Sequence, residues 1–152
     1  MIQLDLKYSS KKFFIKNNIS TNQKINLLRR NGMILKFMTS KDKSNKKIVK
    51  IAVSQNGLAL RYASSDLKND KKLVLIAVKN YGFAFKYASK DLKKDTQVLK
   101  EAINTSGNVL SYADKKLKLN KLLVKKSVKK NGFALQYADE ILKDDKNLLD
   151  QF

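Results

Sequence analysis

The segment Asp70-Lys-Lys-Leu-Val-Leu-Ile-Ala-Val-Lys-Asn-Tyr-Gly-Phe-Ala-Phe-Lys-Tyr-Ala-Ser-Lys-Asp-Leu-Lys-Lys-Asp95 decides how the chain folds. Asp70 is an N-cap former, whose carboxylate can accept from the free N–H groups of a first helical turn. The apolar residues Leu73, Val74, Ala77 and Val78 then fall at i, i+1, i+4 and i+5, which predicts one buried helical stripe. Gly82 arrives where that helix should stop, and its position predicts a left-handed terminator, a conformation that costs glycine least. Phe83 and Tyr87, four apart, predict a second, shorter helix running to Ser89. Ser89, Asp91 and Leu92 predict a turn or a single 3₁₀ segment before the next cap, Asp95.

The same grammar recurs along the chain. Gly32, Gly57, Gly82, Gly107 and Gly132 are separated by 25 residues each. Ser20, Asn45, Asp70, Asp95, Asn120 and Asp145 keep that period, and all six are cap formers. Tyr62, Tyr87, Tyr112 and Tyr137 keep it too, with Phe37 in the earlier copy, as do Leu67, Leu92, Leu117 and Leu142 and the column Ala63, Ala88, Ala113 and Ala138. Self-similarity at a fixed period of this length marks a repeat architecture. A helix of about eleven residues is marginal alone, so each apolar stripe must pack on neighbouring copies. The expected fold is all-α: an α-solenoid of five helix–turn–short-helix repeats, with its handedness left open.

The five repeats span residues 20–44, 45–69, 70–94, 95–119 and 120–144 of a single domain over residues 1–152. Leu4 to Phe13 matches Phe83 to Leu92 at an offset of 79 instead of 75, so residues 1–19 are expected to form a half-repeat cap. Residues 145–152 begin another capped helix that reaches no glycine. Atypical end units are what a repeat stack needs.

The phrases Asp70 to Asp95 and Gln55-Asn-Gly-Leu-Ala-Leu-Arg-Tyr-Ala-Ser64 resemble the repeat of the domain-of-unknown-function family numbered 4116. The likeness is strongest over residues 45–145. The resemblance implies a helical repeat found in proteins of intracellular bacteria, protists and large viruses that infect protists, and it brings no catalytic residues with it. The copy Thr96 to Asn120 departs most, with Ser106 before its glycine and Asn108 after it.

Composition narrows the chemistry. The chain has 152 residues, no Cys, His, Trp or Pro, and 33 Lys and Arg against 13 Asp and Glu, for a formal charge of +20. Without Cys there are no disulfides, Cys-bound zinc or thiolate nucleophiles, and without His the commonest general base is missing. The carboxylates read as helix caps and connector residues; none are paired for acid–base work or clustered for Ca²⁺ or Mg²⁺. We therefore expect neither catalysis nor a cofactor or metal. The longest apolar run, Leu73 to Val78, is six residues, far short of the roughly 20 a membrane span needs. The N-terminus lacks the basic start and apolar run of a secretory signal, so an intracellular setting (cytoplasm, virion or organelle matrix) is expected.

The lysines are the candidates for function. Lys43, Lys68, Lys93, Lys118 and Lys143 occupy the connector of every repeat and, at helix-packing distance, would form a ladder about 40 Å long. A second column, Lys36, Arg61 and Lys86, stops at Ser111 and Gln136. Residues 1–95 carry a net +16 and the remaining 57 only +4, which adds Arg29, Arg30, Lys11, Lys12, Lys16, Lys71 and Lys72 as candidates. A solvated lysine face is the plain alternative. The chain has only three Arg, which argues against bidentate base readout. The tyrosine column could stack bases, but its spacing from Leu58, Phe83 and Phe133 predicts core packing with each hydroxyl reaching a partner. Two functions are expected: a non-catalytic helical-repeat interaction scaffold for an acidic protein, or a binder of RNA or DNA backbone.

Overall fold

The structure is a computed structural model that describes residues 19–145. The half-repeat expected over residues 1–19 and the helix expected beyond Asp145 lie outside the described residues, apart from Ile19. Among the described residues every element is helical. Each repeat contributes a ten-residue α-helix, a six-residue 3₁₀ helix and a short connector helix. They are α1 (Thr21–Arg30), η1 (Gly32–Phe37) and α2 (Ser40–Ser44); α3 (Lys46–Gln55), η2 (Gly57–Tyr62) and α4 (Ser65–Lys68); α5 (Lys71–Asn80), η3 (Gly82–Tyr87) and η4 (Leu92–Lys94); α6 (Thr96–Thr105), η5 (Gly107–Tyr112) and α7 (Lys115–Lys118); and α8 (Lys121–Lys130), η6 (Gly132–Tyr137) and α9 (Glu140–Lys143). Long helices pack on long helices and 3₁₀ helices on 3₁₀ helices, each repeat against its chain neighbours, as in an α-solenoid.

The caps and stripes form as their spacing predicts. Ser20, Asn45, Asp70, Asp95 and Asn120 each start a long helix and accept a backbone N–H with the side chain. In α5, Leu73, Val74, Ala77 and Val78 are buried, and the equivalent positions are buried in α3, α6 and α8. These stripes merge with the inner residues of the 3₁₀ helices into one continuous core.

One local expectation is made specific and another is corrected. The short helix expected after each glycine is a 3₁₀ helix. Gly57, Leu60 and Ala63, or Gly82, Phe85 and Ala88, are buried at the three-residue spacing of 3₁₀ geometry, with Ala59 and Ala84 buried beside them. Phe83 and Tyr87, whose four-residue spacing suggested α-helix, are only half-buried. Even the divergent copy keeps the form, at Gly107–Tyr112.

The glycines also act differently. None has a left-handed backbone; the break is made by the preceding residue, extended with φ from −155° to −146° at Asn31, Asn56, Tyr81, Ser106 and Asn131. At four of them, Gly32, Gly57, Gly82 and Gly107, glycine is needed because the next repeat approaches the α-carbon. A Cβ on Gly57 would collide with the Ala77 backbone oxygen, and Gly32, Gly82 and Gly107 meet Ala52, Ala102 and Ser127 in the same way.

Successive repeats are tied by three further sets of bonds. The N–H groups of Ser64, Ser89, Asp114 and Asp139 donate to the carbonyls of Lys43, Lys68, Lys93 and Lys118 at 3.0–3.2 Å. Side-chain amides bridge two junctions: Gln55 accepts from Gly32 N–H and donates to the Arg30 carbonyl, and Asn80 accepts from Gly57 N–H and donates to the Ser54 carbonyl. Lys46, Lys71 and Lys121, each the first residue of a long helix, pair with the next repeat's cap at Asp70, Asp95 and Asp145.

Candidate polyanion-binding face

The lysine column is set by the backbone ladder just described. Each of Lys43, Lys68, Lys93 and Lys118 gives its carbonyl to the following repeat, so all four α-carbons are held in register. Their side chains, and that of Lys143, are half-buried. Lys43 Nζ donates to the Lys36 carbonyl at 2.8 Å, and Lys118 Nζ to the Ser111 carbonyl at 3.0 Å. The carbonyl lies seven residues back in both cases, at the end of the 3₁₀ helix, so part of the column closes that helix. Lys143 pairs with Glu140 at 2.7 Å.

The second column lies beside the first. Lys36, Arg61 and Lys86 are exposed on η1, η2 and η3, and each sits over an aromatic ring. Lys36 Nζ is 5.4 Å from the Phe37 centroid and Lys86 Nζ 5.5 Å from that of Tyr112. The Arg61 guanidinium is shared between its own repeat and the next, 5.8 Å from Tyr62 and 5.9 Å from Tyr87. Cations favour the negative face of such rings. The column tyrosines are half-buried against the core as expected, but among the described residues their hydroxyls make no hydrogen bond; the faces of Tyr62, Tyr87 and Tyr112 carry cations instead.

The columns interact electrostatically. Partial burial lowers the Lys68 ammonium pKa below its ordinary value, and the Arg61 charge lowers it further. Burial and the neighbouring Lys86 do the same to Lys93. Among the described residues no carboxylate pairs with Arg61, Lys68, Lys86 or Lys93. The carboxylates near other lysines are already engaged. Burial would raise the Asp42 pKa, but hydrogen bonds from Lys24, at 2.9 Å, and from Thr39 bring it below the usual range. The Lys46 hydrogen bond lowers Asp70 against the opposing effect of burial, and Lys71 with the Val98 N–H outweighs burial at Asp95.

The other candidates lie elsewhere. Arg29 and Arg30 are exposed at the end of α1, and Arg29 lines a groove with Lys47, Lys50, Ile51, Ser54 and Gln55 in which no 3₁₀ residue takes part. Lys71 serves the ion pair with Asp95, and Lys72 is exposed on α5. Lys11, Lys12 and Lys16 are outside the described residues. Lys90 and Lys94 lack equivalents in every repeat, so the 25-residue period does not single them out, yet they line a groove with Lys93, Tyr112 and Asp114. Their signal was the local lysine density around Asp91.

The basic strip therefore runs over η1 to η3 and fades where Ser111 and Gln136 replace cations and Glu140 engages Lys143. Among the described residues no group of three or more Asp or Glu could hold a metal ion, and no helix is long and apolar enough to cross a membrane.

No curated protein and no solved structure matches the chain. The family model described as domain of unknown function (DUF4116) matches it three times, over residues 25–68, 70–118 and 120–151. The longest match takes in two of the 25-residue units, and together the matches cover most of the sequence. The chain belongs to the DUF4116 family of repeat proteins.

Proposed function

We propose that this chain is a non-catalytic helical-repeat module that binds an acidic macromolecular partner through the strip formed by Lys36, Arg61 and Lys86 with Lys43, Lys68 and Lys93. The observation that carries the reading is the run of exposed like charges Lys36, Arg61 and Lys86 seated over aromatic rings on η1 to η3, with Lys43 Nζ reaching the Lys36 carbonyl beside them and, among the described residues, no ion pair at Lys36, Arg61 or Lys86. Holding like charges together costs energy in the free protein, and an anion placed between them recovers it. The inter-repeat ladder holds the backbone of Lys43, Lys68 and Lys93 in register, so binding need order only side chains.

Heparin, a generic polyanion, tests the reading by titration calorimetry at low salt. The wild-type chain should bind, and Arg61→Ala with Lys86→Ala should weaken binding at least tenfold. Lys129→Ala with Lys130→Ala, an equal loss of charge on the long-helix layer, should leave it within about twofold. Equal weakening by the two double variants would mean that net charge acts and the strip does not.

A further inference from the structure

We infer that the anion the strip takes is the phosphodiester backbone of a nucleic-acid duplex, gripped without reading bases. The inference rests on the polyanion reading above and narrows it. Its first support is the use of the aromatic rings. Proteins that hold single strands stack bases on exposed aromatic faces. Here the rings of Phe37, Tyr62, Tyr87 and Tyr112 are half-buried, and each has a protein cation over it. These rings seat cations, which suits a ligand whose bases are stacked inside a duplex and whose outer surface is phosphate.

The second support is regularity. The first column repeats with every unit and the second with the first three, and the Lys43–Ser64, Lys68–Ser89 and Lys93–Asp114 backbone bonds fix the spacing of the first. Units at helix-packing distance place a pair of cations every 10 Å or so, about three base-pair steps of a duplex at 3.4 Å rise. A continuous, evenly charged polymer meets such a lattice at every repeat, whereas the carboxylates of a folded protein have no such period. The third support is the absence of a base-reading group: Arg61 is the only Arg in the strip, and its guanidinium lies against Tyr62 and Tyr87. Six cations, Lys36, Lys43, Arg61, Lys68, Lys86 and Lys93, make up this surface.

Fluorescence anisotropy with labelled, mixed-sequence duplexes of DNA and of RNA, about 20 base pairs long, tests the inference against labelled polyglutamate across a salt series. Neutralising about five phosphates predicts a slope of log K on log salt near −4.5, a loss on the order of 500-fold between about 50 and 200 mM. Affinity should not depend on base sequence. Arg61→Gln with Lys86→Gln, both exposed and so compatible with folding, should flatten the slope by about 2. Binding to both duplexes supports the inference, and binding to one alone identifies the source of the phosphates. Polyglutamate binding without duplex binding overturns it and leaves an acidic protein as the partner. Failure to bind either overturns this inference and the polyanion reading together.

Discussion

The single hydrogen on the Gly57 α-carbon sets how closely two repeats approach. A methyl group there would push against the Ala77 carbonyl, a backbone atom that cannot rotate away, so the repeats would have to separate. Gly57→Ala should cost about 2–3 kcal/mol, at the upper end for overpacking. Asparagine tolerates left-handed backbone, so at a left-handed terminator Gly57→Asn would be milder than Gly57→Ala. Close packing requires the reverse order, and chemical denaturation of the two variants decides between them. The sequence could not separate these roles, because a glycine every 25 residues at a helix end suits both. The caps and apolar stripes were legible because their chemistry is local. The cation–aromatic pairing was not, since Arg61 meets Tyr87 only across a repeat boundary.

At the scale of the element, the long helices follow from their own residues, while the 3₁₀ helices were masked by competing periods. Phe83 and Tyr87 suggest α-helix, but they are half-buried, while Gly82, Phe85 and Ala88, three apart, are buried together with Ala84. The ends of the long helices also carry a pairing rule. Where a cap is Asp70, Asp95 or Asp145, the first residue of the preceding long helix is lysine; where it is Asn45 or Asn120, that residue is Thr21 or Thr96. The Asn120 junction thus lacks the ion pair. It has Lys130 where Gln55 and Asn80 bridge other junctions, and it lies beside the buried, unpartnered Ser127 Oγ. Thr96→Lys with Asn120→Asp should restore the pair and stabilise the chain by up to about 1 kcal/mol, with neither single change doing so. A double-mutant cycle by thermal melting measures that coupling, and additive effects would contradict it. The existing ion pairs set the acid limit. Asp42, Asp70 and Asp95 have folded-state pKa values below the unfolded value near 3.9, so their stabilisation is complete above about pH 4 and is lost as pH falls through the lowered values. Melting temperature should be flat from about pH 7 to pH 5 and drop below pH 4; an unchanged value at about pH 3 would contradict it.

At the scale of the whole molecule, the charge of +20 resolves into parts with different work. Lys46, Lys71 and Lys121 hold repeats together, Lys24 pairs with Asp42 inside the first repeat, Lys43 and Lys118 close 3₁₀ helices, and among the described residues Arg61, Lys68, Lys86 and Lys93 form no ion pair. The period and the concentration of charge before residue 95 could be read from the sequence. Which lysines are already used could not, because folding alone brings Lys46, Lys71 and Lys121 to carboxylates about one repeat away and turns Lys43 and Lys118 back onto carbonyls at the end of a 3₁₀ helix. Lysine acetylation footprinting by mass spectrometry, with and without saturating duplex, locates the binding surface directly. Lys36, Lys68, Lys86 and Lys93 should be protected several-fold, while Lys47, Lys50, Lys129 and Lys130 stay reactive. Uniform protection, or protection confined to Lys47 and Lys50, would contradict a binding face built on the 3₁₀ helices.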